Sequence, residues 1–150
     1  MQLALFQPDI PQNLGTLLRF SACMGVKLHI IEPCGFPLDE KKMKRAAMDY
    51  AEKAQIIRHA DWQEFLSEIG RQESGVRIIL ATTKAATPYT GVTYRKDDIL
   101  LLGRESAGVP DFVHASADER VLIPMQPGYR SLNIAVSAAM IAGEMLRQAG

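Results

Sequence analysis

The chain has 150 residues, 47% hydrophobic and 23% charged, with 17 Lys plus Arg balanced by 17 Asp plus Glu. This profile excludes disorder and fibrous repeats, and a domain of this size buries roughly 70% of its unfolded surface without a disulfide or structural metal. Zero formal charge excludes a whole-surface electrostatic hold on nucleic acid or membrane, so a polyanionic partner must meet a local basic patch.

The amino-terminal segment MQLALFQPDIPQN has neither a basic region nor a long apolar region, and no 18-residue apolar run precedes the last helix. A cytoplasmic protein without a membrane span is therefore expected. Short apolar runs predict strands over Gln2–Phe6, Lys27–Ile31 and residues 55–58, 76–82, 99–103 and 120–123. Helices fall between them. The first starts at Asn13 as N-cap and stops before Gly25, which suits a left-handed position just past a helix end. A basic helix follows over residues 39–47 and resumes to residue 54. Asp61 with Glu64 reads as a capping box that opens a helix over residues 62–69. A short helix follows Pro110, and a long one begins near Ser131 and runs to Gln148.

In that last helix Leu132, Ile134, Val136, Met140, Ile141 and Met145 cover more than one buried stripe requires, so one side is available to a second copy of the chain. Strands alternating with helices predict an α/β domain over residues 1–150, its sheet mostly parallel with helices on both faces. Ligands of such sheets bind beyond the carboxyl ends of the strands. Cys23 and Cys34 have neither CxxC nor zinc spacing, and His29, His59 and His114 are scattered, so no metal site is expected.

Three segments at strand ends carry unusual sequence: residues 11–19, residues 102–110 and residues 123–133. Gly103 and Gly108 enclose four residues as the glycines of a phosphate-binding loop do, but Val109-Pro110 stands where Lys-Ser or Lys-Thr is required. No G-x-G-x-x-G follows the first strand. Glycine at a strand end lets main-chain groups approach a flat ligand, and Ile123 and Leu132 suit an apolar slot, a combination that fits a purine nucleoside. Gly103 and Gly108 read equally well as plain turn residues, and Glu105 and Asn133 as helix caps. Arg19, among Leu17, Leu18, Phe20 and Met24, either snorkels to solvent or holds a phosphate through its fork. The run from Asp39 to Arg45 contains Lys41, Lys42, Lys44 and Arg45 and is either a solvated face or a phosphate-backbone patch. Tyr129 and Arg130 precede Ser131, where the tyrosine can stack on a base or pack locally.

The three segments, in this order and at these strand ends, resemble the SPOUT superfamily of RNA methyltransferases, in its 2′-O-ribose branch. The match extends over nearly the whole chain. Residues 29–33, Gly35-Phe36, the run 39–45 and Asp49-Tyr50 resemble the small TrmL-type enzymes of that branch, which methylate the wobble nucleotide of certain leucine tRNAs. The resemblance implies a carboxyl-terminal deep trefoil knot, a homodimer, no separate RNA-binding extension, and S-adenosylmethionine as methyl donor with S-adenosylhomocysteine as product. It implies that Ala81, Thr82, Thr83, Gly103, Ile123, Ser131 and Leu132 hold the donor. Asn13, Arg19, Glu105, Ser131 and Asn133 then shape the catalytic end, and Lys41, Lys42, Lys44, Arg45, Tyr129 and Arg130 meet tRNA. Ala46-Ala47-Met48 departs from the Ala-Gly-Leu common in these relatives, as does Ala51 from their aromatic or histidine.

Overall fold

The computed structural model describes residues 1–46 and 53–149. In chain order its elements are β1 (Gln2–Phe6), α1 (Pro11–Met24), β2 (Lys27–Ile31), α2 (Glu40–Ala46), β3 (Ile56–His59), α3 (Trp62–Glu68) and α4 (Arg71–Ser74). There follow β4 (Ile78–Ala81), β5 (Thr87–Pro88), a 3-10 turn (Tyr89–Gly91), β6 (Ile99–Leu102), α5 (Asp111–Ser116), β7 (Glu119–Leu122) and α6 (Ile134–Ala149). The strands form one sheet in the order β3-β2-β1-β6-β4-β7-β5, and every neighbouring pair is parallel.

Alternation along the strands makes two cores. Leu3, Leu5, Leu28, Ile30, Leu100 and Leu102 face one side, which Leu14, Leu17 and Leu18 of α1 and Ala138, Ile141 and Met145 of α6 cover. Ala4, Phe6, Ile78, Leu80, Ile99 and Leu101 face the other, against Trp62 and Phe65 of α3 and Val113 of α5. A parallel sheet needs both faces covered, which is why its strands read as nearly unbroken apolar runs.

Several expected boundaries move. The first helix begins at Pro11, because proline has no N–H to leave unpaired and its fixed φ suits a first turn. Asn13 is therefore inside the helix and buried, not its N-cap. Gly25 adopts the expected left-handed conformation, φ 65°, at the helix end. The last helix begins at Ile134: Asn133 Oδ1 accepts from the backbone N–H of Ala135 (2.8 Å) and Val136 (3.2 Å), so Ser131 and Leu132 precede the helix. The strand expected over residues 76–82 covers only Ile78–Ala81, while the basic helix starts at Glu40 after Asp39 Oδ1 takes the N–H of Lys41 at 2.8 Å. Its continuation, with Asp49 and Tyr50, lies outside the described residues. Asp61 does cap α3, accepting from Glu64 N at 2.8 Å. Strand β5, helix α4 and the 3-10 turn have two to four residues each and carry no usable periodicity.

Two of the three scattered histidines meet in the core. His29 and His59 stack with ring centroids 5.1 Å apart and Nδ1 to Nε2 at 2.9 Å, while Gln2 Oε1 lies 2.8 Å from His29 Nε2. Burial, then the neighbouring His59 and Lys27, push His29 down to about 4. Among the described residues no helix is long and apolar enough to cross a membrane, and no cluster of His, Cys, Asp or Glu is arranged to hold a metal ion.

Candidate functional site

Strands β4, β6 and β7 end side by side, and the segments that leave them enclose a cavity of about 430 Å³. That volume lies within the roughly 300–1,000 Å³ of small-molecule sites. Ala81, Thr82 and Thr83 enter its wall from the end of β4, Gly103 from β6, Ile123 from β7, and Ser131 and Leu132 from the segment before α6. Asn13, Glu105, Arg130 and Asn133 also line it. Arg19, Lys41, Lys42, Arg45 and Tyr129 are exposed and are not part of its wall, and Lys44 falls within α2. Ile134, Ser137 and Ile141 of α6 complete one side, and sequence reasoning missed Ser137. Its signal was the i, i+3, i+7 spacing that puts all three on one helical stripe.

The loop after β6 is held shut by its own backbone. Arg104 N–H donates to Gly108 O at 2.9 Å, and Gly108 N–H donates to Arg104 O at 2.8 Å. A Cβ on Gly103 would sit 2.7 Å from the carbonyl carbon of Gly108 and 2.8 Å from its Cα. Only glycine lets the strand end and the loop end approach so closely. Gly108 itself has φ 62°, which glycine adopts without strain.

Side chains from three distant segments then join across the cavity end. Asn13 Nδ2 donates to Glu105 Oε1 at 3.3 Å, and Asn133 Nδ2 donates to Asn13 Oδ1 at 2.9 Å. With Asn133 Oδ1 on the first turn of α6, one run of hydrogen bonds connects the loop after β6 to α1 and α6. The bland reading of Asn133 as a cap is therefore true, and the same amide also orients Asn13. Burial, and then the Asp9 carboxyl beside it, hold Glu105 above the usual carboxylate range. Asp9 sits below it, through the Glu105 carboxyl, the Ser106 hydroxyl and nearby backbone amides. Chemically, the arrangement offers main-chain groups and apolar walls for a flat ligand, fixed amides and a carboxyl at one end, and the cation of Arg130 at the rim.

Comparison with known proteins gives the site a family. The SpoU rRNA Methylase family model matches residues 1–143. A tRNA (cytidine(34)-2'-O)-methyltransferase of Beijerinckia indica subsp. indica is 57% identical over 148 residues, covering 99% of this chain and 91% of that one. The protein of the same name from Escherichia coli K12 is 36% identical over 152 residues, covering 100% of this chain and 94% of its own. A structure described as giving insight into 2-OH methylation of C/U34 on tRNA superposes with a TM-score of 0.90 at 37% identity, covering 98% of this chain and 94% of that one. An AdoMet-bound rRNA methyltransferase from Sinorhizobium meliloti superposes with a TM-score of 0.83 at 26% identity, covering 97% of this chain and 55% of its own. By a family match along nearly its whole length and relatives this similar, the chain belongs to the SpoU rRNA methylase family.

Proposed function

We propose that this protein transfers the methyl group of S-adenosylmethionine to the ribose 2′-oxygen of nucleotide 34, a cytidine or modified uridine, in leucine tRNAs. The observation that carries the reading is the convergence on one cavity of residues from β4, β6, β7 and α6, closed at one end by Glu105, Asn13 and Asn133. Relatives named for cytidine 34 methylation support the substrate class.

The cavity suits the donor: its walls mix Ile123, Leu132 and Ile141 with the hydroxyls of Thr82, Thr83 and Ser131, and the Gly103 approach exposes backbone where a side chain would block it. Ala81, Thr82, Thr83, Gly103, Ile123, Ser131 and Leu132 would hold it, and when bound it supplies an electrophilic methyl group on a sulfonium. The chain's own contribution is alignment, which can lower the barrier by several kcal/mol, on the order of 7 in favourable cases. Glu105, Asn13 and Asn133 fix the catalytic end, with Ser131 beside them. Arg19 serves as a clamp on the target phosphate and steadies the developing alkoxide. A guanidinium remains protonated and has no acceptor, so a phosphate oxygen or water takes the proton. Lys41, Lys42, Lys44 and Arg45 of α2, with Tyr129 and Arg130 at the rim, meet the tRNA.

The enzyme is proposed to act as a cytoplasmic homodimer. Met24 of α1 and Val136 and Met140 of α6 are 50%, 49% and 39% exposed on two helices that pack together, an apolar surface suited to a second copy. Two-fold symmetry then lets each chain's Arg19 and α2 serve the other's cavity. A carboxyl-terminal trefoil knot fits the sheet order: β7 pairs between β4 and β5, two strands joined only by residues 82–86, so the chain around β7 has to pass that short bridge.

The test is methyl transfer from labelled S-adenosylmethionine to tRNA of cells lacking the modification. Transfer is expected, and Arg19→Lys should lose at least tenfold in turnover while donor affinity stays within threefold, because a point charge does not reproduce the fork. No transfer by folded, donor-binding protein would refute the reading, and normal turnover by the lysine variant would remove Arg19 from it.

A further inference from the structure

Asp9 is absent from the cavity wall, yet it makes more cross-chain bonds to the loop after β6 than any wall residue described above. Its backbone N–H donates to Glu105 Oε2 at 3.0 Å, while the backbone N–H of Glu105 donates to Asp9 Oδ1 at 3.2 Å. The Ser106 hydroxyl donates to Asp9 Oδ2. Two residues 96 positions apart thus exchange backbone N–H groups for each other's carboxyls, which fixes Glu105 at both its main chain and its side-chain tip.

Asp9 is itself wedged in place from the opposite side. A Cβ on Gly35, in the loop after β2, would lie 2.6 Å from Asp9 Cβ and 3.0 Å from its Cα, and Gly35 N–H donates to Pro8 O at 3.0 Å. Just before it, Gln7 turns the chain out of β1 with φ 46°, a left-handed value that only the surrounding bonds make tolerable for a residue with a side chain. Its N–H is held by Ile31 O at 2.8 Å, and its Oε1 accepts from Arg104 Nη1 at 3.4 Å. The β1–α1 connection is therefore pinned between the loops that follow β2 and β6.

We infer that Asp9 is a positioning residue for the methyl-transfer reaction: it sets the Glu105 carboxyl, and through Glu105 the amides of Asn13 and Asn133, at the catalytic end of the cavity. The inference rests on the proposed 2′-O-methyl transfer at this cavity. Asp9 does not itself line the cavity, so it acts on the reaction through the wall residues it holds, Glu105 and Ser106, and beyond Glu105 through Asn13 and Asn133. Burial holds the Glu105 carboxyl above its ordinary range and the Asp9 carboxyl beside it adds to the rise, so removing the Asp9 charge lowers it.

The test is Asp9→Asn, which keeps an oxygen for the Glu105 N–H and removes the charge. Turnover is expected to fall at least tenfold with donor affinity within threefold, and the acid limb of the kcat profile should move to lower pH. The carboxyl-carbon NMR titration of Glu105, read on protein without tRNA, should move the same way. Ser106→Ala, which leaves both backbone-to-carboxyl bonds, should lower turnover three- to tenfold, and it decides the matter if Asp9→Asn does not fold. Wild-type turnover and an unmoved Glu105 titration in the folded variants would overturn the inference while leaving the methyl-transfer reading intact. Absence of transfer by the wild-type protein would instead refute that reading, and the Glu105 titration would still judge the role of Asp9.

Discussion

Asn133 shows how one side chain serves both folding and the site. Its oxygen caps α6 through the N–H groups of Ala135 and Val136, and its nitrogen donates to Asn13. Asn133→Asp separates the two roles, because a carboxylate still caps a helix but cannot donate to the Asn13 oxygen. Stability should stay within about 1 kcal/mol by chemical denaturation, while turnover falls at least tenfold. An equal loss of both would reduce Asn133 to a cap. At the other end of the sheet, His29 carries a prediction about pH. Its folded value of about 4 lies below the ordinary 6.5, so the unfolded chain binds the extra proton first. Stability is full above pH 6.5, declines as pH falls toward 4 and then levels, losing up to about 3 kcal/mol from this group. Denaturation midpoints across that window should show the slope, and His29→Gln should flatten it. A slope unchanged in the variant would assign it elsewhere.

Among the elements, strands and long helices were legible in the sequence because burial on both faces writes unbroken apolar runs and the helices carry end signals such as Gly25 and Asp61. Shorter elements were not: β5 has two residues, one of them Pro88, and its place at the sheet edge depends on β7 arriving beside it. The seven donor-site candidates were found through resemblance, and the fold places all seven at one cavity. Asp9 was invisible because its partners Glu105 and Ser106 lie 96 and 97 residues away, and no local spacing records such a contact. Helix α6 was expected to be apolar on nearly all sides. It buries Ala135, Ala138, Ile141, Ala142 and Met145 and leaves the apolar Val136 and Met140 outward, the surface on which the proposed dimer rests. Val136→Lys with Met140→Lys should yield a folded monomer by sedimentation that binds the donor more weakly and has lost most methyl transfer. A folded dimer of this variant would show that the face is not the interface.

At the scale of the whole molecule, a neutral chain is proposed to act on a polyanion. The resolution lies in placement: Lys41, Lys42 and Arg45 are exposed on α2, and Arg130 lines the cavity beside Tyr129, which is 76% exposed, while acidic groups such as Asp98 and Asp118 are tied to Arg77 and Arg71 at the opposite strand ends. The sheet thus keeps these buried or half-buried ion pairs at one edge and the exposed cations of α2 at the other, where the proposed substrate would meet them. The most direct measurement maps 2′-O-methyl groups by nucleoside and fragment mass spectrometry on tRNA from cells lacking the modification, after incubation with S-adenosylmethionine and this protein. Methylation confined to the ribose of nucleotide 34 in leucine tRNAs is the predicted result. Methylation at another nucleotide, or none by a folded protein that binds the donor, would contradict it.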